Sequence, residues 1–195
     1  MNYLAHAYLS FGDPLLLAGN MAGDHVKGKL ALANYPERMQ EGLMLHRAID
    51  AAADAHPAAR RAAMLFRQDY GLYSHAIVDA LMDHFLASDA KLFSSGGALL
   101  AFTQETYAKL DSVAEHLPEG FLAYFPHMKE HNWLYGYRTM QGVQRALGGL
   151  SRRAKHMPDP AKAYEIFVGY YYMLGQCYYE VMDSMIPMVR LRVQF

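Results

Sequence analysis

The segment SHAIVDALMDHFLA (residues 74–87) is apolar on nearly every side. Yet it carries His75, Asp79 and Asp83 at i, i+4 and i+8, with His84 beside them. At a helical period those three residues stack along one face. Ala76, Ile77, Val78, Leu81, Met82, Phe85 and Leu86 flank the stripe, so a helix here buries carboxylates along with its apolar surface. A buried carboxylate needs a cation or dense hydrogen bonding. The upstream segment GLMLHRAIDAAADAH repeats the spacing with His46, Asp50 and Asp54. Two such stripes favour a fold in which two helices turn acid and imidazole toward a shared partner.

The rest of the chain is helical in period, with no convincing run of alternating β-branched residues. The pattern predicts a short helix from Asn2 to Ser10, broken by Gly12-Asp13-Pro14, and a second from Leu15 to Met21 or a little beyond, ending near Gly28. A third starts at Pro36 and runs to about Ala55, where His56-Pro57 stops it. Further helices are expected over Pro57–Asp69, Leu72–Ala90, Leu99–His116, Gly120–His131 and Trp133–Leu147, the last ending at Gly148-Gly149. A long terminal helix should span Ala161–Met185, with Pro187 just past its end. The expected fold is all-α, a single compact multi-helix domain over residues 1–195. At 195 residues and 53% hydrophobic content, such a chain hides roughly 70% of its unfolded surface. That excludes a disordered or low-complexity protein.

Charge narrows the partners. Lys and Arg number 18 against 19 acids, a net charge of −1, which argues against general nucleic-acid binding. Between Arg145 and Lys162, however, Arg145, Arg152, Arg153, Lys155 and Lys162 face Asp159 alone, and Arg60, Arg61 and Arg67 form a second basic group. Patches of this kind attract acidic partners and phosphates. The single cysteine, Cys177, allows no disulfide within one chain and suits a reducing compartment. No apolar run is long enough to span a membrane and the N-terminus does not read as a signal peptide, so a cytoplasmic location is expected.

Imidazole with carboxylate suits Mn²⁺, Fe²⁺, Zn²⁺ or Mg²⁺. Asp24, in the polar segment GNMAGDHVKG, adds a third source of ligands to the two stripes. Acids at i, i+4 also occur on solvated faces, and a core histidine is commonly a hydrogen-bonded strut. Asn2 and His6 share a helix face and could support the site, or serve only in capping and packing. Arg47 could hold a phosphate or make an ordinary ion pair.

The segments NYLAHAYLS, GNMAGDHVKG, LHRAID, IVDALMDHFL and WLYGYRTMQGVQRALGGLSRR together resemble the acyl-carrier-protein phosphodiesterase family. They fall in order and at similar spacing from residue 2 to about 153, and YYEVMDSMIPMV continues the likeness more loosely. The resemblance implies an all-helical fold related to HD-type phosphohydrolases. It implies removal of 4′-phosphopantetheine from holo acyl carrier protein, giving apo carrier and free 4′-phosphopantetheine, with Mn²⁺ favoured and a place in fatty-acid biosynthesis. Asp24, His46, Asp50, Asp79, Asp83 and His84 match the family's motif positions. No His-Asp dipeptide occurs in this chain, only Asp24-His25 and Asp83-His84, so the HD label assigns no ligand directly.

The expected metal ligands are Asp24, His46, Asp79, Asp83 and His84, with Asp50 close behind. A bound divalent ion would make hydroxide available near neutrality, and an acid free of metal would orient water or shuttle a proton. Arg47 or Lys27 would stabilise transition-state charge, and His6 would support the ligands. The acidic carrier would dock on Arg152, Arg153 and Lys155. Two other readings stand beside this one. The chain could be a related phosphohydrolase for a nucleotide or small phosphoester, or a helical binding protein without turnover.

Overall fold

A computed structural model describes residues 1–28, 30–154 and 156–193, and among them no strand occurs. In chain order the α-helices are α1 (Tyr3–Tyr8), α2 (Pro14–Ala22), α3 (Glu37–Ala55), α4 (Pro57–Tyr70), α5 (Ser74–Ala87), α6 (Gly96–Asp111), α7 (Glu119–Leu122), α8 (Phe125–Glu130), α9 (Trp133–Gly136), α10 (Met140–Arg153), α11 (Pro160–Gly169) and α12 (Tyr171–Arg192). The all-α expectation is met. Short 3-10 turns cover Gly23–His25, Leu30–Asn34, Gly71–Tyr73 and Ala114–His116.

Local chemistry sets most of the starts. Pro14 opens α2 where its missing N–H costs nothing, and the Asp13 carboxylate accepts the Leu16 N–H at 2.8 Å. Pro57 opens α4 in the same way, behind the cap made by the His56 ring. Ser95 caps α6 and Thr139 caps α10.

Several boundaries differ from the sequence reading. The expected helix over Gly120–His131 is two pieces, α7 and α8, and Trp133–Leu147 is likewise divided into α9 and α10. Gly148-Gly149 does not end a helix; α10 runs through both glycines to Arg153. The terminal helix is broken at Tyr170, and α12 then continues through Pro187 to Arg192. A proline this close to a helix end withdraws a single N–H from the Asp183 carbonyl, and Met185 and Val189, buried on either side, hold the segment to the core.

Helices α2 and α3 approach each other closely. A Cβ on Gly19 would lie 2.2 Å from the Met39 carbonyl oxygen, and one on Gly42 would lie 2.3 Å from the Leu16 carbonyl oxygen. The two helices therefore touch backbone to backbone, glycine against glycine. Helix α1 is buried on five of its six residues and packs against both α2 and α5. Helix α5 has eleven buried residues of fourteen and is covered by α4, α10 and α12. Of the polar stripe of α5, Asp83 is enclosed where α1 lies across it, while His75 and Asp79 stay partly exposed.

A methyl group at Gly42 has only backbone to push against. Gly42→Ala should destabilise the protein by about 1–3 kcal/mol, read as a lower urea midpoint, whereas Gly169→Ala, where a Cβ meets nothing within 4 Å, should cost far less.

Candidate active site

Three elements converge at the N-terminal end of α1. From α2 comes Asn20, fully buried. Its side-chain amide donates to the His6 carbonyl at 2.9 Å and to Ser10 Oγ at 3.0 Å, so its oxygen must face His6 Nδ1, 2.8 Å away. The Asn20 backbone carbonyl accepts from His46 Nδ1 at 2.8 Å. One residue therefore fixes two imidazoles, which stack with ring centroids 4.3 Å apart. Gly23 leaves room for this, since a Cβ there would strike the His46 ring at 2.2 Å.

Both Nδ1 atoms are committed as donors, so the remaining nitrogens decide the chemistry. His46 Nε2 lies 3.1 Å from Asp50 Oδ2 and 3.3 Å from Asp24 Oδ1. His6 Nε2 lies 3.2 Å from Asp50 Oδ1 and 3.1 Å from the Met1 carbonyl oxygen. Every neighbour of these two nitrogens is an acceptor. A neutral ring with its proton on Nδ1 would aim a lone pair at oxygen lone pairs, so each Nε2 calls for a proton or a metal ion.

The electrostatics separate the two rings. Burial alone would lower the pKa of His46, but Asp24 and Asp50 raise it to about 9. At His6, burial lowers the pKa, with the Met1 ammonium and His46 adding to the effect against Asp50. Asp50 is held well below the usual carboxylate range: burial works against this and is outweighed by hydrogen bonds from His46 and His6 and by the Met1 ammonium. The hydrogen bond from His46 likewise lowers Asp24.

The amino group of Met1 is fully covered, 2.9 Å from Asp50 and 3.2 Å from Asp79. One turn further along α5, the two oxygens of Asp83 accept the Leu4 N–H at 2.8 Å and the Ala5 N–H at 2.9 Å. Asp83 thereby caps α1 from another helix, where Asn2 makes no capping bond of its own and instead donates to the Tyr137 hydroxyl at 3.0 Å. Burial raises Asp83 to about 7 against those two bonds.

The predicted ligands thus divide. Asp24, His46 and Asp50 come together, His6 joins them, and Asp79 approaches through the Met1 amine. Asp83 and His84 do not join them; each is engaged elsewhere. Asp83 spends its oxygens on the cap. His84 donates from Nδ1 to the Tyr137 carbonyl at 2.8 Å and accepts the Tyr171 hydroxyl at Nε2, 3.0 Å away, so it links α5 to the chain after α9 and to α12. Arg47 is likewise engaged within the fold. Its guanidinium donates to the carbonyls of Val26 and Gly28 and so anchors the segment behind Asp24 rather than presenting itself to a phosphate. Lys27 is exposed with no polar partner among the described residues. Lys155 lies outside the described residues.

A cavity of about 690 Å³ opens beside the cluster, lined by Asp24, Asp79 and Tyr124 and, from α10, by Arg145, Arg152 and Arg153. The more open hollow of about 480 Å³ at His25, Tyr35 and Glu119 contains none of the clustered acids. Asn20 and the Met1 amine are the two participants sequence reasoning missed. For Asn20 the signal was present, a lone amide inside the apolar run LLLAGNMA.

In metal-free protein the His46 shift has a fixed sign. Its folded pKa of about 9 lies above the unfolded value of about 6.5, so its stabilisation is complete below pH 6.5 and disappears as pH rises through 9. Thermal melting in EDTA should drop across that window by an amount equivalent to up to about 3 kcal/mol, and His46→Gln should flatten the dependence. Asp83→Asn should cost about 1–3 kcal/mol, because an amide has one acceptor for two N–H groups.

Residues 1–185 match the model of a family described as acyl carrier protein phosphodiesterase. A protein of that name from Salmonella paratyphi A is 32% identical over 153 residues, spanning 78% of this chain and 79% of its own. One from Salmonella agona is 31% identical over the same shares. No solved structure matches. With the match covering nearly the whole chain and these relatives extending over most of their own length, the protein belongs to the acyl carrier protein phosphodiesterase family.

Proposed function

We propose that the protein hydrolyses the phosphodiester joining 4′-phosphopantetheine to a serine of holo acyl carrier protein. The products are apo carrier and 4′-phosphopantetheine, and a divalent ion, Mn²⁺ first, supports the reaction. The observation that carries this reading is the pair of imidazoles anchored at Nδ1 whose Nε2 atoms meet only oxygen acceptors beside an open cavity. His6, His46 and Asp50 each offer a ligand atom, all within 4.8 Å of one another. Outer hydrogen bonds from Nδ1 are how ligating histidines are oriented, and two imidazoles with carboxylate fit Mn²⁺, Fe²⁺ or Zn²⁺. Asp24 and Asp79 are the neighbouring carboxylates able to complete the set. A divalent ion held there supplies Lewis-acid charge to the phosphate oxygens and makes water easier to deprotonate.

The chain's own groups divide the remaining work. Asp24 is the most exposed acid of the cluster, its side chain 74% accessible, and it lines the cavity. It is the group placed to take the proton of the attacking water. The water oxygen bonds to phosphorus, the bond from phosphorus to the serine oxygen breaks, and that oxygen leaves with the proton that Asp24 took from the water. Arg145, Arg152 and Arg153 make no ion pair among the described residues, and their guanidinium groups suit the non-bridging oxygens and the acidic carrier. Arg153 acts electrostatically on Tyr3 and Tyr137, which line the same cavity.

Mass spectrometry of holo carrier incubated with the protein and Mn²⁺ should show loss of the phosphopantetheine mass. Asn20→Ala, which frees His6 without removing a ligand and leaves His46 on the main-chain carbonyl, should lower the rate by about 10–100-fold, and Asp50→Ala should lower it further. Arg152→Ala with Arg153→Ala should raise KM more than it lowers kcat, with a rate that falls between about 50 and 300 mM salt in the unaltered protein. No mass loss with any divalent ion would favour binding without turnover. Preferential cleavage of nucleotides or small phosphoesters would reassign the substrate.

A further inference from the structure

Outside the cluster around His46, a second group of metal-ligating side chains stands on α8 and the residue that follows it. The sequence HMKEH sets His127, Glu130 and His131 at i, i+3 and i+4, which is one face of a helical turn. Each offers one ligand atom within 4.8 Å of the other two. Glu130 Oε2 is 3.9 Å from His127 Nδ1 and 3.9 Å from His131 Nε2. That is too long for a hydrogen bond and close to the spacing of about 3.4 Å between ligands of a tetrahedral ion with bonds near 2.1 Å. The imidazoles are packed at 81° with centroids 4.1 Å apart, and Trp133 stands edge-on to His127. Neither imidazole has a hydrogen-bond partner among the described residues. The group lies at the C-terminal end of α8, where the helix dipole favours a cation. His127 and His131 both line the same 690 Å³ cavity as Asp24 and Asp79.

We infer that His127, Glu130 and His131 form a second metal site, separate from the cluster around His46, for an imidazole-preferring divalent ion of the Zn²⁺ class. Two imidazoles and one carboxylate select Zn²⁺, Ni²⁺ or Cu²⁺ over Mg²⁺ or Ca²⁺. Three protein ligands leave coordination positions open, and because both histidines line the cavity, a thiol or phosphate oxygen of a molecule lying there can complete the shell. The inference does not depend on the proposed reaction. It concerns other residues, and binding is read with no carrier protein present.

The test is equilibrium dialysis of the full chain against Zn²⁺, with metal counted per chain. His131→Ala should bind one ion fewer than the unaltered protein, and His46→Ala should keep that ion. Glu130→Gln, which removes one exposed carboxylate and leaves both rings, should weaken the same site. The His127 and His131 ring signals in the NMR spectrum should broaden on adding Ni²⁺. Equal stoichiometry in the unaltered protein and His131→Ala, with no selective broadening, would overturn the site. So would loss of all bound Zn²⁺ in His46→Ala.

Discussion

The side chain of Asn20 is the point on which the cluster turns. Its amide nitrogen is held by the His6 carbonyl and Ser10 Oγ, which leaves its oxygen no direction but toward His6. Its main chain then holds His46. A buried amide with every group satisfied is rigid, so both rings inherit its position. That position in turn depends on α2 and α3 meeting without side chains between them, at Gly19 and Gly42. Any bulk there would move Asn20 and Asp24 away from His46 and Asp50, because the first pair lies on or just beyond α2 and the second on α3. The glycine contact is thus a matter of chemistry as much as of packing.

The carboxylates show how one residue type takes different roles by position alone. Asp79 and Asp83 are one turn apart on α5. The first faces the Met1 amine and the second faces the first free N–H groups of α1. Both neutralise the positive end of α1, one through a charge and one through dipoles. Asp54, at the outer end of the α3 stripe, meets His75 at 3.1 Å near the surface. Of the acids in the two stripes, only Asp50 meets the imidazole pair, while Asp79 stops at the Met1 amine. An i, i+4, i+8 spacing specifies a common face; the crossing of α1 over α5 decides which turn of that face receives which partner.

This is why the sequence was informative to a definite depth. Apolar period and proline positions carried the helices, since α3 and α4 start beside Pro36 and Pro57 and α5 follows its apolar pattern. The glycine pair at 148–149 misled, because the buried Val143 and Leu147 keep α10 in place and tertiary packing outweighs a propensity of about 1 kcal/mol per glycine. For the site, His46, Asp50 and Asp24 were legible as residue types that do not belong in a bland helix. His84 looked the same and is a strut, for its two partners, the Tyr137 carbonyl and the Tyr171 hydroxyl, lie 53 and 87 residues away. No local spacing encodes such contacts. Arg47 beside His46 was ambiguous for the same reason, as the carbonyls it holds belong to the loop from 26 to 28.

Charge balance links the cluster to its surroundings. Asp24 and Asp50 flank His46 and Asp79 lies beside them at the Met1 amine; the folded chain answers these carboxylates with the Met1 ammonium and a proton on His46, whose pKa rises to about 9. A divalent ion seeking the same oxygens must compete with both. An ion bound as proposed would have to take the Nε2 lone pair of His46 from its proton, so occupation would release a proton and strengthen as pH rises toward 9. His6 offers less resistance, since burial already favours its unprotonated form. The two rings therefore differ: in the proposed metal site His6 would be a ligand whose unprotonated form burial already favours, and His46, which compensates the carboxylates while protonated, would have to give up its proton.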